Sequence, residues 1–207
     1  MRAADEHVYY ETLQGATFHR YAIPGVVGDT SLRIGSDGWA RIAYETDGGL
    51  ELAEFDGAAF STIAVPGSGG GFAPSLVLGA NNDAHIVWTR AYHGGGCAEP
   101  GPFAEDGTYY GTNVSGAWVI GRITPDVGQA SITMDASTGR VHVILSGPGG
   151  LLHYSMAADG DWAMTTLSIH SGGSPIIRRD PTTDTLLVVF FGDVGLRAQG
   201  IYAMTKP

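Results

Sequence analysis

Short runs of apolar residues recur along the chain and are separated by polar turns. The runs are rich in aliphatic and aromatic residues, and no long helical periodicity competes with them. The turns between the first two strands of successive units read GSDG, ANND, DASTG and DPTTD. Asp, Asn and Gly are the residues that tight hairpin turns require. The pattern therefore predicts an all-β protein made of antiparallel hairpins.

A unit of four strands, which we label a to d, repeats along the sequence. Each d strand has an aromatic residue near its start and an aliphatic residue five positions later. The aromatic residues are Phe18, Phe60, Trp118 and Trp162, at intervals of 42, 58 and 44 residues. Blades of β-propellers contain about 40 to 45 residues in four strands. The repeat predicts a β-propeller of four-stranded antiparallel blades, about four in number. The four d-strand aromatics are expected in the core, as are the residues at the ends of the b strands, Tyr44, Trp88, Leu145 and Phe190.

This repeat resembles the blades of bacterial propeller proteins of the sialidase-like and propeller-lectin types, in which a strand ending in an aromatic residue follows a DG-type turn. The resemblance implies a fold and no particular activity, because propellers support many functions. The segment SDGW at 36–39 lies in the a to b turn and not between strands c and d, so it is not an Asp-box. No catalytic residues are therefore assigned from the resemblance.

The two ends of the chain carry partial copies of the unit. We predict a single domain over residues 1–207, in which the N-terminal strands complete the C-terminal blade. The c strand occurs twice, as HVYYET near the N-terminus and as IYAMT near the C-terminus. Three alternatives therefore stay open: a five-stranded closing blade, a five-bladed ring, or a part of a larger ring. A monomer and a homo-oligomer are both compatible with this pattern.

Charge and composition exclude several classes of partner. The net charge is −10, Lys206 is the only lysine, and there is no basic cluster, which argues against nucleic acid and anionic membranes as partners. No apolar segment is long enough to span a membrane. Cys97 is the only cysteine, so a disulfide within the chain is excluded. The compartment stays open, and secretion after removal of a signal peptide is one alternative.

One interval between repeats is longer than the others, and the extra residues form the b to c loop over residues 91–107, AYHGGGCAEPGPFAEDG. Loops that exceed the length a fold needs frequently carry function. In a propeller, the b to c and d to a loops of all blades lie on one face around the axis. The b to c loops of the other blades are therefore expected on the same face as the long loop. The predicted ligand-binding residues are Tyr92, His93, Glu99, Phe103, Glu105 and Asp106 of the long loop, with Glu45, Asp47 and Asp193 of the neighbouring b to c loops.

Other chemistry-bearing residues receive structural interpretations. His93, Cys97 and the loop carboxylates match no metal-ligand spacing, so neither a metal nor a cofactor is predicted. His85 and His142 occupy the same position in their b strands, which favours packing between blades. Arg33 and Arg178 lie on or near the a strands, where an interior ion pair is favoured over recognition of an anionic sugar.

The sequence favours a binding function over catalysis. Our first hypothesis is a lectin-like module that binds carbohydrate, or another small polar ligand, on the face that carries the 91–107 loop. The second is a glycosidase or related enzyme that uses two loop carboxylates, which must stand roughly 5 to 9.5 Å apart. The third is a protein-interaction scaffold. No catalytic residue is predicted.

Overall fold

The computed structural model describes residues 8–14, 16–91, 104–148, 150–156, 160–168, 172–180, 182–183, 185–192 and 201–204. Over these ranges the chain forms seventeen β-strands and no helix. Accordingly, the described residues include no helix of the length and hydropathy that crossing a membrane demands.

Four antiparallel sheets follow one another along the chain, and we call them blades 1 to 4. In each blade the strands are hydrogen-bonded in chain order. Blade 1 contains β3 (Thr30–Ile34), β4 (Ala40–Thr46), β5 (Gly49–Phe55) and β6 (Phe60–Ala64). Blade 2 contains β7 (Gly71–Leu78), β8 (Ala84–Arg90), β9 (Gly107–Thr112) and β10 (Val119–Thr124). Blade 3 contains β11 (Gln129–Met134), β12 (Val141–Gly147), β13 (Gly150–Met156) and β14 (Trp162–Ser168). Blade 4 contains β15 (Gly172–Arg179), β16 (Leu186–Gly192) and β17 (Ile201–Met204).

Two further strands precede blade 1 and form the N-terminal hairpin, β1 (Val8–Gln14) and β2 (Thr17–Ile23). The first strands of the four blades, β3, β7, β11 and β15, lie side by side in this order around a common axis, and we call them the inner strands. In blades 1 to 3 the strands have the predicted order a to d, and the three described strands of blade 4 have the order a to c. The structure thus confirms the all-β propeller of about four blades.

The core of the protein lies between blades. On β8 of blade 2, Ile86 and Trp88 are fully buried and pack with Leu50 and Leu52 of blade 1. Val87, which points to the opposite side of the same strand, packs with residues of blade 3. Fully burying one such aliphatic side chain contributes about 1.5 to 3 kcal/mol. Stacking of blade on blade is therefore the main source of stability.

A repeated hydrogen bond joins each inner strand to the next. In three successive blades a serine hydroxyl accepts the backbone N–H of a residue on the inner strand of the following blade. The three bonds run from Leu76 N to Ser31 Oγ (3.0 Å), from Ile132 N to Ser75 Oγ (3.3 Å) and from Ile177 N to Ser131 Oγ (3.3 Å). The equivalent position in blade 4 is Ile176, so the chain cannot form this bond from blade 4 to blade 1.

The two ends of the row of blades leave apolar side chains exposed. Leu32 and Ile34 of blade 1 are 42% and 53% exposed, and Ile176 of blade 4 is 47% exposed. The N-terminal hairpin packs Val8 and Tyr10 on the outer part of the same side of blade 1. Within the described ranges it forms its own two-stranded sheet. Completion of the C-terminal blade by the N-terminal strands stays a prediction.

The predicted core aromatic residues are partly confirmed. Tyr44 and Trp88, at the ends of the b strands, are fully buried, as are Leu145 and, nearly so, Phe190. Phe18 was expected in the core and is 71% exposed, so this prediction is wrong. The reason is that Phe18 lies on the side of the hairpin that faces away from blade 1. Of the three other d-strand aromatics, Trp118 and Trp162 are half-buried against the interblade clusters, and Phe60 is half-buried against the cluster between blade 1 and the N-terminal hairpin.

The carboxylates of the a to b turns stabilise the turns, as predicted. Asp37 accepts hydrogen bonds from the Arg41 guanidinium at 2.6 Å and from Trp39 N at 3.0 Å. The bond from Arg41, with that from the backbone, lowers the pKa of Asp37 to about 2. Asp135 accepts Ser137 and Thr138 N–H groups in the same way. Both carboxylates therefore stabilise their own turns by accepting backbone N–H groups.

The repeated histidines are packed between strands, as predicted. His85 is 7% exposed, and its Nδ1 lies 2.6 Å from the Tyr110 hydroxyl. His142 is 5% exposed and stacks on His153, with Nδ1 and Nε2 3.1 Å apart. Burial lowers the pKa of His85 and of His153, because the charged imidazolium loses its hydration.

We predict that acidification destabilises the protein through these histidines. A folded-state pKa below the unfolded value of about 6.5 means that the unfolded chain binds the proton first. The stability that the neutral, buried His85 and His153 contribute is fully present above pH 6.5, and it is lost as the pH falls from 6.5 toward their folded-state pKa. Urea unfolding at pH 7.5 and 5.5 measures the loss, which His85→Gln should reduce. Thr17→Ser, at an exposed position of the N-terminal hairpin, is the control that should retain the full loss.

We also predict that Trp88→Ala lowers the free energy of unfolding by about 3 to 5 kcal/mol, the usual cost of emptying a buried aromatic site. Phe18→Ala removes an exposed ring and should change it by no more than about 0.5 kcal/mol. Chemical denaturation of both variants provides the comparison. Equal losses in the two variants would contradict the interblade core described above.

Candidate functional site

A cavity of about 720 Å³ opens between blades 1 and 2 on the face of the b to c and d to a loops. Its walls come from the loop after β2, from the β4–β5 hairpin, from the loop after β6 and from the end of β8. The lining residues are Val27, Glu45, Thr46, Asp47, Gly69, Gly70, Gly71, Phe72, Arg90 and Ala91. The cavity therefore combines two carboxylates, one guanidinium and one aromatic ring.

A buried serine fixes the loop that forms one wall. Ser68 is 3% exposed, and its hydroxyl donates to Val65 O at 2.6 Å while accepting Leu50 N at 2.8 Å. Its carbonyl accepts Gly71 N at 2.7 Å. Because these bonds connect the d to a loop with the β4–β5 hairpin, the glycine segment 69–71 has a defined position beside Asp47.

Backbone bonds hold Glu45 at the cavity wall. Glu45 N donates to Asp29 O at 3.1 Å, and Val27 N donates to Glu45 O at 3.0 Å. A Cβ atom added to Gly28 would overlap the Glu45 carboxyl group. Glycine at position 28 therefore allows the carboxylate to lie against the backbone of the d to a loop.

The C-terminal end of the long loop is anchored to blade 2 beside the cavity. The Arg90 guanidinium forms an ion pair with the Glu105 carboxylate. Tyr109 Oη donates to Glu105 O at 2.7 Å, and Arg122 donates to Ala104 O at 2.8 Å. Arg90 thus connects the cavity wall with the loop.

The structure unites part of the predicted set. Glu45 and Asp47 line the cavity. Glu105 reaches it through Arg90, whereas Asp106 is 8% exposed and is absent from the described lining. Five predicted residues lie outside the described residues: Tyr92, His93, Glu99, Phe103 and Asp193.

Sequence reasoning missed Phe72 and Arg90. Arg90 is the last residue of the b strand that leads into the long loop, so its place at the loop base was available as a signal. Phe72 follows the glycine run GSGGG, which marks a close approach of backbone segments. No group of three or more His, Cys, Asp or Glu side chains suited to a metal ion occurs among the described residues.

Comparison with known proteins yields similarity of structure without similarity of sequence. No protein-family model matches the sequence, and no curated protein matches it. A variant of the NanB sialidase from Streptococcus pneumoniae superposes with a TM-score of 0.58 at 14% identity, over 96% of this chain and 34% of the sialidase. An α-L-arabinanase from Penicillium chrysogenum, in complex with arabinobiose, gives a TM-score of 0.53 at 10% identity, over 95% and 65% of the two chains.

An α-L-arabinofuranosidase from Lactobacillus brevis gives a TM-score of 0.50 at 12% identity, over 93% and 78% of the two chains. These similarities establish the fold alone. The chain spans about a third of the length of the sialidase. What the three enzymes share with this protein is the propeller architecture, and their named activities describe those enzymes.

We predict that Gly28→Ala displaces the Glu45 carboxylate from the cavity wall. The added methyl group needs the space that the carboxylate occupies, and overpacking of this kind costs about 1 to 3 kcal/mol. A crystal structure of the variant shows the displacement, and urea unfolding gives the cost. Gly121→Ala is the matched control, because a Cβ there contacts nothing within 4 Å. An unmoved Glu45 would contradict the proposed role of Gly28.

Proposed function

We propose that the protein binds carbohydrate in the cavity between blades 1 and 2. The single observation that carries this proposal is the placement of Glu45, Asp47, Arg90 and Phe72 around one concave surface. A cavity of about 720 Å³ lies in the size range of sites for small ligands. The sugar-active enzymes that share the fold support the same ligand class at the level of fold.

The lining matches the chemistry of a sugar. A pyranose or furanose ring presents apolar C–H faces, for which the Phe72 ring and Val27 provide apolar contact surface. Its hydroxyl groups are donors and acceptors, so they pair with the carboxylates of Glu45 and Asp47 and with the guanidinium of Arg90. Such charge-assisted hydrogen bonds fix the orientation of a ligand.

The glycine segment 69–71 lines the cavity without side chains of its own, which lets a ligand approach the backbone closely, above all at Gly70. The 91–107 loop begins at this cavity with Ala91 and returns at Glu105, beside Arg90. We propose that residues between Ala91 and Glu105 contribute further contacts to the ligand. We therefore extend the proposed site to Tyr92, His93, Glu99, Phe103 and Glu105, and also keep Asp106 and Asp193 on the same face as candidates.

A specific observation favours hydrolysis as the second candidate function. Glu45 and Asp47 line the same cavity, and a pair of carboxyl groups is what a glycosidase needs for acid and base or nucleophile. Binding remains the preferred proposal, because the sequence carries no catalytic signature. A protein-interaction scaffold is the third candidate and predicts neither sugar binding nor turnover.

We predict that Glu45→Gln and Asp47→Asn each weaken glycan binding about 10- to 100-fold, since each removes charged hydrogen bonds worth about 1.5 to 3 kcal/mol. The measurement is a glycan array followed by calorimetric titration of the selected glycan. Glu11→Gln on the N-terminal hairpin is the matched control and should bind like the wild type. A reducing-end assay on the same glycan tests for hydrolysis.

Binding without release of product supports the proposal. Release of product that disappears in Glu45→Gln would replace it with the glycosidase function. Absence of any glycan binding by the wild-type protein, or equal binding by all three variants, would contradict the proposed site.

A further inference from the structure

A second cavity, of about 400 Å³, lies on the axis of the propeller and is unused by the proposed function. All four inner strands contribute to its wall. The side chains that matter for its chemistry are Arg33 on β3, Ser31 on β3, Ser75 on β7, Gln129 and Ser131 on β11, and Arg178 on β15. The axial cavity thus joins polar groups from every blade.

Two arginines of this cavity have no carboxylate partner among the described residues. Arg33 donates to Leu32 O at 2.7 Å, and Arg178 donates to Ile177 O at 2.8 Å. The expected interior ion pair is therefore not present in the described part of the chain. Four other arginines do bond to acids, in the pairs Arg20–Glu11, Arg41–Asp37, Arg90–Glu105 and Arg179–Asp135.

The two guanidinium groups act on each other electrostatically. Burial lowers the pKa of Arg33, and the charge of Arg178 lowers it further. Asp29 also lines the cavity, but it precedes β3, four residues before Arg33, and none of the ion pairs of the described residues joins it to Arg33 or Arg178. The Arg33 end of the cavity therefore carries an excess of positive charge.

Neighbouring polar side chains of the cavity add hydrogen-bond donors to those of the two guanidinium groups. The hydroxyl oxygens of Ser31, Ser75 and Ser131 accept backbone N–H groups, which leaves each hydroxyl proton available for donation. Gln129 Oε1 accepts the N–H and the hydroxyl of Ser174. The amide N–H groups of Gln129 are thus the part of that side chain left for a ligand.

We propose that the axial cavity binds a small tetrahedral oxyanion, such as phosphate or sulfate, between Arg33 and Arg178. A guanidinium presents its donors as a planar fork that matches such anions, and the serine hydroxyls add further donors. Arg33 belongs to blade 1 and Arg178 to blade 4, and the serine hydrogen bond that joins the other successive inner strands cannot form from blade 4 to blade 1. A bound oxyanion links the first and last blades at this point.

The test is a titration of the intact protein with inorganic phosphate, against sodium chloride at equal ionic strength. Because a ligand that binds only the folded state stabilises it, Tm should rise saturably, by about 5 °C or more once phosphate exceeds its Kd 100-fold. Isothermal calorimetry gives the Kd independently. Sulfate should behave similarly, whereas chloride should not reproduce the effect.

Arg33→Gln and Arg178→Gln should each abolish the saturable response, and their Tm without phosphate should match or exceed that of the wild type because a like-charge repulsion is removed. Arg140→Gln, on an exposed turn of blade 3 outside the cavity lining, should respond like the wild type. A rise in Tm that does not saturate, or that is equal in Arg33→Gln and the wild type, would overturn the proposal. The two cavities share no lining residue, so the phosphate titration tests the axial cavity independently of whether the protein binds glycans.

Discussion

Each blade of this protein needs a neighbour on both faces, and the rest of the structure depends on this requirement. Successive side chains of a strand point to opposite sides of a sheet. On β8, Ile86 therefore packs toward blade 1 and Val87 toward blade 3, and both are fully buried. At the two ends of the row of blades, by contrast, apolar side chains of the inner strands are exposed, as Leu32 and Ile176 are. The stability of the fold is consequently cooperative between neighbouring blades.

Stacking of blades also determines where a ligand can bind. The loops that leave one blade and enter the next meet at a single face, so residues far apart in sequence come together there. Ser68 connects the loop after β6 with the β4–β5 hairpin, and this bond places the glycine segment beside Asp47. The wall of the cavity is completed by Arg90 from blade 2. A site between blades is thus rigid where it is built on strand ends.

The sequence was sufficient for the strands and for part of the site. The repeat revealed the strand order, because every blade buries equivalent positions of its strands against its neighbours. Trp88 was correctly placed in the core. Phe18 was placed wrongly because its repeat position says nothing about whether a neighbouring blade covers it. Glu45 and Asp47 were predicted because topology assigns their hairpin to the loop face. Phe72 escaped prediction, since its proximity to them depends on three-dimensional loop contacts.

The two cavities show that local placement, and not overall composition, sets the charge of a site. The chain has a net charge of −10, and the cavity on the loop face contains Glu45 and Asp47. On the axis, however, Arg33 and Arg178 occupy equivalent positions of the first and last inner strands. Because all inner strands meet at the axis, residues at the same position of different inner strands come close together there. Acidic loops and a basic axis can therefore coexist in one acidic protein.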